Sequence, residues 1–195
     1  MLYWLHMEHP EDLDLGSKPA NGDLRYVQGF VNTADIEAGR DMLATREGLA
    51  RWLERHGLLA AGAPVSERDR ERAVAFREAL RSMLFAHHGD PLDPGAVAVL
   101  DAIGRKAPLH LSFDRNGGAT LAPVSAGVEG ALARLSAVIY RAMLDGSWTR
   151  LKVCRNDACR WAFFDASRNR SGSWCSMEVC GNRMKVRAHR ERHGG

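Results

Sequence analysis

The sequence has no long apolar run and no common catalytic motif, and these absences exclude several classes of protein. No stretch of its 195 residues approaches the roughly 18 uninterrupted apolar residues of a membrane-spanning helix, so we expect no membrane partner. The first residues, MLYWLHMEHPED, turn acidic at once and have no basic segment before their few apolar residues, unlike a signal peptide. We therefore expect a cytoplasmic protein.

Enzyme motifs are missing as well. The chain has no nucleophile elbow, no phosphate-binding glycine loop and no HExxH, which are common signatures of catalytic sites. The adjacent His87 and His88 stand near the end of a predicted helix, where capping or exposure is the ordinary explanation of a histidine. The sequence therefore predicts a protein that is not an enzyme.

Cysteine is scarce, and all four cysteines stand within 27 positions near the end of the chain. In a reducing compartment such a set favours metal binding or free thiols over disulfides. The cysteines form two pairs, C-x4-C, fifteen residues, then C-x4-C, as expected for a closed tetrahedral zinc site built from two tight turns. The predicted Zn²⁺ ligands are Cys154, Cys159, Cys175 and Cys180.

Other interpretations of the cysteines are open at this point. Two disulfides or four buried thiols are possible, whereas a redox dithiol prefers the spacing C-x-x-C. A Cys2His2 site would use Cys175 and Cys180 with His189 and His193. Only eight residues separate Cys180 from His189, fewer than the dozen or so in DNA-reading fingers, and the first cysteine pair would have no role.

Aromatic residues crowd the segment between the two cysteine pairs. A small metal-binding segment has little apolar core, so ion binding supplies much of its folding free energy, on the order of 10 kcal/mol. We expect the aromatic side chains to cover the site and to dock it onto the rest of the protein; stacking on nucleic-acid bases is the alternative. These residues are Trp161, Phe163, Phe164 and Trp174.

Charge is distributed unevenly along the chain. Residues 150–195 hold 11 Lys or Arg against 4 Asp or Glu, whereas the first 149 residues hold 16 against 20. A basic tail on a mildly acidic body indicates a polyanionic partner for the tail, and a solvated charged end is the alternative.

The last segment, RMKVRAHRERH at 183–193, predicts a short helix that is basic nearly all round. We expect a sharp turn at Gly181 and a helix N-cap at Asn182. Such a helix suits phosphate contact or groove insertion, unless it is a frayed terminus. With the loop before it, the helix offers six candidate nucleic-acid contacts: Arg168, Arg170, Arg183, Lys185, Arg187 and Arg190.

The pattern before the cysteines predicts a mainly α (α+β) fold: a mostly helical domain over 1–147 with one β-hairpin, followed by a small zinc-binding module over 148–195. Residues 1–22 read as irregular, and 23–35 as a buried strand or the start of a helix. Apolar stripes at helical spacing, with N-caps before them and glycines after them, predict helices. Alternating apolar and polar residues before the turn sequence NGG predict the hairpin. The helices are expected at 45–57, 66–89, 93–104 and 125–146, and the hairpin at 109–124.

Four polar residues of the body are candidates for binding a ligand. Asn32 and Thr33 stand in an otherwise apolar stretch, and Arg77 and Arg81 recur one turn apart on the longest predicted helix. A buried Asn must be hydrogen-bonded, and its simplest role is to tie the ends of elements together. The arginines could bind an anion or pair with acidic neighbours such as Glu78.

The tail and part of the body together resemble a known family. The motifs are FFDASRNRS, WCSM and CGNR within 150–192, with FVNTAD at 30–35 and FREALRSML at 76–84. They resemble bacterial proteins that carry a CGNR zinc finger behind an ABATE domain and are regarded as stress-induced transcription regulators. The sequence departs from that pattern at Gly29, where an acidic residue is expected, and at Gly172 and Ser173, where basic residues are common.

The resemblance implies that the four cysteines bind Zn²⁺ and that the tail binds DNA. A transcription regulator of this kind would contact DNA with its tail, while its helical body senses a small-molecule effector or forms a homodimer. The alternative is a zinc-stabilised module that binds protein or RNA, because the same basic helix would serve both.

Overall fold

The computed structural model describes residues 13–193, so the first twelve residues of the segment predicted to be irregular lie outside the described residues. Three antiparallel strand pairs accompany the helices. The helices are α1 (Leu24–Val31), α2 (Arg46–Arg55), α3 (Glu67–Ala86), α4 (Pro94–Lys106), α5 (Gly127–Leu144) and α6 (Asn182–His193). The strand pairs are β1 (Ala34–Asp35) with β2 (Arg40–Asp41), β3 (Leu109–Phe113) with β4 (Ala119–Pro123), and β5 (Leu151–Val153) with β6 (Ala162–Phe164).

This arrangement confirms the mainly helical fold class with one longer hairpin, a cysteine cluster and a terminal helix. The ambiguous stretch at 23–35 forms α1 and then enters β1. Within residues 13–193, no helix has both the length and the apolar character needed to cross a bilayer.

Side-chain caps fix the start of three helices, α2, α3 and α4. Thr45 accepts a hydrogen bond from the Gly48 amide before α2, and Ser66 forms a reciprocal capping box with Asp69 before α3. Asp93 caps α4 ahead of Pro94, whose missing N–H is not needed at a first helical position. The predicted end of this helix at Gly104 is wrong by two residues, since α4 continues to Lys106.

The core lies where α1, α3 and α5 meet. Tyr26 and Phe30 of α1 are fully buried, as are Leu80 of α3 and Leu132 of α5. Trp52 of α2 packs against Phe30 with ring centroids 5.3 Å apart. Burying a large apolar side chain stabilises a fold by about 1.5–3 kcal/mol, so this cluster dominates the stability of the body.

The strand pair of the tail belongs to the same core. β5 packs against α3 and β6 against α1, and Leu151, Val153 and Ala162 have no exposed surface. The cysteine segment is therefore fixed to the body through β5 and β6. The division of the chain into domains at 147/148 stays a prediction.

Candidate functional site

The four cysteines are held by two backbone turns. Cys154 directly follows β5, and a tight turn in which the Cys159 amide donates to the Asn156 carbonyl (2.8 Å) returns the second thiol to the first. Cys180 lies in a wide helical turn, Met177–Gly181, which follows Cys175 and is capped by the Ser176 hydroxyl. Each turn therefore presents two sulfur atoms.

The distances between the sulfur atoms fit a tetrahedral metal ion. The Sγ atoms of Cys159 and Cys175 lie 3.7 Å apart, as do those of Cys175 and Cys180, and all four lie within 4.8 Å of one another. A tetrahedron with metal–sulfur bonds of about 2.3 Å has edges of about 3.8 Å. The separations are too long for disulfides, in which sulfurs lie about 2.05 Å apart, and this cluster contains neither His189 nor His193.

The electrostatics of the cluster also favour a bound cation. Hydrogen bonds from the thiols of Cys159 and Cys175 lower the pKa of Cys154. The interaction with Cys154 in turn raises the pKa of Cys159, and it raises that of Cys175 to about 12. Four sulfurs at this distance therefore do not all ionise by themselves. A divalent ion, which requires thiolates as ligands, would offset the repulsion between their negative charges.

The shell around the sulfurs consists of an amide and two indole rings. Asn156 Nδ2 donates to Cys180 Sγ at 3.7 Å, and Trp161 and Trp174 pack against the cysteines. Phe164 joins the main core, and Phe163 is buried with its ring centroid 6.5 Å from that of His88 at the end of α3. The predicted roles of the aromatic residues are thus divided: the tryptophans cover the site and the phenylalanines dock it.

Two local predictions at the CGNR motif are wrong. Gly181 has no positive φ and makes no sharp turn; a Cβ there would lie 2.8 Å from Met177 Sδ, so a larger residue would require the Met177 side chain to move. Asn182 is not an N-cap, because its backbone is helical and its side chain donates to the Glu178 carbonyl. The helical segment begins earlier, at the turn that Ser176 caps.

Asn32, a predicted ligand-binding residue, joins the body to the tail. Its Nδ2 donates to the Ala162 carbonyl at 3.1 Å, and its Oδ1 accepts from the Ala162 amide at 2.7 Å. Gln28, one turn earlier on α1, also donates to the Ala162 carbonyl and accepts from the Ala20 amide. The two side chains thus satisfy the backbone N–H and C=O of Ala162, at the start of β6, in place of a neighbouring strand. Gln28 was not identified from the sequence, since a buried Gln on a helix carries no motif.

The other three candidates for ligand binding also have protein partners. Arg77 forms a two-bond ion pair with Asp41 (2.6 and 2.9 Å) and contacts the Thr33 hydroxyl. Arg81 donates to the carbonyls of Val31 (2.6 Å) and Arg160 (2.7 Å). These contacts favour the structural interpretation, and ligand binding at Asn32, Thr33, Arg77 and Arg81 stays a prediction.

The expectation of a cap holds for His87, which is the C-cap residue of α3, whereas both adjacent histidines are half-buried and not exposed. His87 Nδ1 lies 2.7 Å from the Leu151 carbonyl, and His88 Nε2 lies 2.7 Å from the Val153 carbonyl. Burial lowers the pKa of both imidazoles. The end of α3 thus holds the outer backbone edge of β5 with two neutral rings.

The loop that carries Arg168 and Arg170 is organised by a buried ion pair. Lys152 and Asp165 are each 3 % exposed, with Nζ and Oδ2 2.9 Å apart. Asp165 also accepts from the hydroxyl and amide of Ser167 and from the Gly172 amide. Burial opposes ionisation of Asp165, but hydrogen bonds from Ser167 and Lys152 outweigh it and hold the pKa of this carboxyl below its usual value.

Of the three positions that depart from the family pattern, the two glycines, Gly29 and Gly172, are closely packed. A Cβ at position 172 would lie 2.8 Å from the Asp165 carboxylate, and one at position 29 would lie 2.5 Å from a Leu13 methyl group. Real Cβ atoms do not approach other atoms so closely. Larger residues at Gly29 or Gly172 would therefore disrupt this packing.

The cations of α6 project from the structure. Arg183 forms an ion pair with Glu37 of the body, and Arg187 pairs with Glu191 at 2.9 Å on α6 itself. Lys185 and Arg190 are exposed, and neither has an acidic partner among the described residues. The six candidate nucleic-acid contacts are thus all exposed on the loop and the helix, and their role in binding nucleic acid stays a prediction.

Two family models match the chain. ABATE, described as “Putative stress-induced transcription regulator”, matches residues 24–145, more than half of the sequence. The CGNR zinc finger matches residues 150–193 and includes all four cysteines. Both matches confirm the resemblance and its order along the chain, and neither family is described as an enzyme. No curated protein matches the chain.

Proposed function

Because the chain belongs to the ABATE family and its cysteine cluster lies in the segment that matches the CGNR zinc finger, we propose that it is a zinc-dependent DNA-binding transcription regulator. Zn²⁺ is the proposed ion because four thiolates in tetrahedral arrangement form a closed structural site with no position left for a substrate. Cys154, Cys159, Cys175 and Cys180 would hold it. The ion would fix the turn that leads into α6.

The exposed basic surface carried by this turn is the main support for DNA binding. α6 holds five Lys or Arg and one Glu, and its Lys185 and Arg190 are exposed. Phosphate groups bind such cations with release of counterions, which supplies most non-specific affinity. Arg168 and Arg170 add two cations on a loop that the Lys152–Asp165 pair holds in place.

The proposal is tested by titrating the zinc-loaded full chain against fluorescent duplex DNA. If about five cations contact phosphates, the logarithm of affinity falls against the logarithm of salt with a slope near −4.5. The double variant Lys185→Gln/Arg190→Gln is expected to reduce the slope by about 2. As a matched control, Arg46→Gln changes an exposed arginine of the body and should leave the slope unchanged.

Absence of binding to duplex DNA at low salt, with zinc bound, would contradict the proposal. A slope that the α6 variant does not change would contradict the assignment of the contacts to α6. Either result concerns the tail alone, because none of the substituted residues is buried.

A second candidate function is a protein-binding or RNA-binding module. Apolar side chains beside the α6 cations favour a protein partner: Met177, Val179 and Val186 are each about half exposed. Capture of partners from lysate, with and without nuclease treatment, separates the candidates. Partners held through DNA disappear after DNase digestion, RNA-mediated capture disappears after RNase, and a protein bound directly persists.

The role of the helical body is the remaining part of the proposed function. We expect it to carry regulation, by binding a small-molecule effector or by forming a homodimer. The four polar residues proposed for an effector already have partners in the backbone or in Asp41 and Glu78, so a ligand at these residues would have to displace existing contacts.

A further inference from the structure

One face of the β3–β4 hairpin is apolar and exposed. The cross-strand pairs Leu109–Pro123, Leu111–Leu121 and Phe113–Ala119 place six apolar side chains on the same side of this two-stranded sheet, because cross-strand partners share a face. Leu111 is 61 % exposed and Phe113 is 70 % exposed. Such a face normally packs on another layer, yet two of its largest side chains lie in solvent.

The backbone edge of β3 is also open. The Val124 amide donates to the Pro108 carbonyl, and the Asp114 amide donates to the Gly118 carbonyl. Hydrogen-bonded pairs alternate along an antiparallel ladder, so the N–H and C=O groups of Leu109, Leu111 and Phe113 point away from β4. Within residues 13–193, β4 is the one strand that pairs with β3.

The two edges of the hairpin differ in their protection. On β4 the outward position 123 is a proline, which has no N–H to donate and is a common device that blocks strand addition. On β3 the three outward residues are Leu109, Leu111 and Phe113, and all have a donor and an acceptor. The open edge and the most exposed apolar side chains therefore belong to the same three residues.

We propose that β3 is a self-association surface on which a second copy of this chain adds its own β3 in antiparallel orientation. Centred on Leu111, the pairing sets each Leu111 opposite the partner's Leu111, and each Leu109 opposite the partner's Phe113. The two hairpins then form one four-stranded sheet with a continuous apolar face. A two-fold interface of this kind requires a surface complementary to itself, and a five-residue strand with apolar residues at positions 1, 3 and 5 meets that requirement.

The distribution of charge favours an antiparallel over a parallel orientation. Lys106 precedes β3 by three residues and Asp114 directly follows it, with Arg115 beyond it towards the hairpin turn. The two-fold axis sets Asp114 opposite the partner's Pro108 and Arg115 opposite the partner's Ala107, so each end of the pairing holds a carboxylate between Arg115 of one copy and Lys106 of the other. A parallel pairing would instead set each residue beside its own copy, with like charges together.

The dimer is expected to be weak, because five residues a side form its central contact. Stable interfaces bury about 800 Å² per partner, and a short strand pair with one apolar face covers less. We expect dissociation in the micromolar range. Dimerisation would place two basic tails in one particle, but the inference concerns β3 and does not rest on DNA binding.

Sedimentation of the zinc-loaded full chain over about 1–300 µM tests the inference. The expected result is a concentration-dependent rise from the 21.5 kDa chain towards twice that mass. Leu111→Lys is expected to weaken the dimer at least tenfold, since it sets two lysines opposite each other. Leu144→Lys, the same change at a 71 % exposed leucine of α5, is the matched control and should leave the dimer intact.

A second variant tests the strand edge itself. Leu111→Pro removes an N–H that points away from β4, so the hairpin keeps its own ladder, which circular dichroism checks, while edge pairing is lost. A monomer at every concentration overturns the inference. So does a dimer that survives both changes at Leu111, or one that is lost equally in Leu144→Lys.

Discussion

The helical body and the cysteine tail are stabilised in different ways. In the body, helices of up to 20 residues bury apolar stripes around Phe30 and Leu132, and α2, α3 and α4 start at side-chain caps. In the tail, two three-residue strands and two turns surround four sulfur atoms, and α6 projects from the second turn. The body is a conventional apolar core, whereas the tail depends on an ion and on the surface of the body.

The strands of the tail and its cysteine turns are therefore stabilised by different interactions. β5 and β6 bury their apolar side chains in the core of the body, so the body supports these strands without an ion. Among the residues that the structure describes, the turns that hold the sulfurs bury a small apolar cluster, in which Trp161 and Trp174 pack against the cysteines. We therefore expect ion binding to order the turns and α6, and the body to order the strands.

The largest expected effect comes from removing one ligand. Cys180→Ser should reduce bound zinc from one equivalent to nearly none, because structural zinc contributes on the order of 10 kcal/mol to folding. Metal analysis and hydrogen exchange provide the measurement. We expect loss of protection in the turns and α6, with protection in α3 and α5 retained.

Ser176→Ala is the control for this ligand variant. It removes the cap of the same turn, which costs about 1 kcal/mol, but it removes no sulfur and should leave one equivalent of zinc. If Cys180→Ser kept a full equivalent of zinc, or if it unfolded the body together with the tail, the two regions would not differ in the way described.

A smaller effect is expected from the buried ion pair between Lys152 of β5 and Asp165, which directly follows β6. Lys152→Met leaves the Asp165 carboxylate buried without its cation, and removing one partner of a buried pair costs about 3–5 kcal/mol. Asp165 has a depressed pKa when folded, so its stabilising contribution is present above the usual carboxyl pKa near 4 and is lost as the pH falls below it. Denaturation at pH 7 measures the full effect.

The exposed ion pair of α6 gives the matched comparison. Arg187→Met breaks the Arg187–Glu191 contact, in which both side chains are more than 60 % exposed, and should change stability by about 0.5 kcal/mol or less. In a double-mutant cycle, Lys152→Met with Asp165→Asn is expected to cost less than the sum of the single changes. Equal effects of Lys152→Met and Arg187→Met would show that the buried pair contributes no more than a surface pair.

Local signals predicted most of the body. The caps at Thr45, Ser66 and Asp93 were identifiable because a capping side chain bonds an amide two or three residues away. The cysteine cluster was identifiable for a similar reason, since each C-x4-C pair closes its own turn. Errors at helix ends, such as Gly104, arise because the pattern changes gradually there.

Contacts between distant residues were not predictable in the same way. Asn32 binds Ala162 across 130 positions, and neither residue carries a signal that names the other. His87 and His88 were interpreted from their place at a helix end, which identified the cap at His87 but not the contacts with Leu151 and Val153, 64 and 65 positions away. The alternation of Leu109, Leu111 and Phe113 predicted the hairpin but not that its apolar residues would be exposed.

The smallest effect concerns the pH dependence contributed by His87, where the body contacts the tail. Because burial lowers its pKa, the folded protein keeps the ring neutral while the unfolded chain takes up a proton below about 6.5. Stability from this group is therefore complete above that pH and is lost as the pH falls towards the folded pKa, by at most about 1.4 kcal/mol per pH unit.

His87→Gln, which keeps a donor for the Leu151 carbonyl but does not titrate, should flatten the fall in unfolding free energy between pH 7.5 and 5.5. An unchanged slope in His87→Gln would mean that the acid sensitivity of the docked tail lies in other groups, with the cysteines and His88 next to be tested.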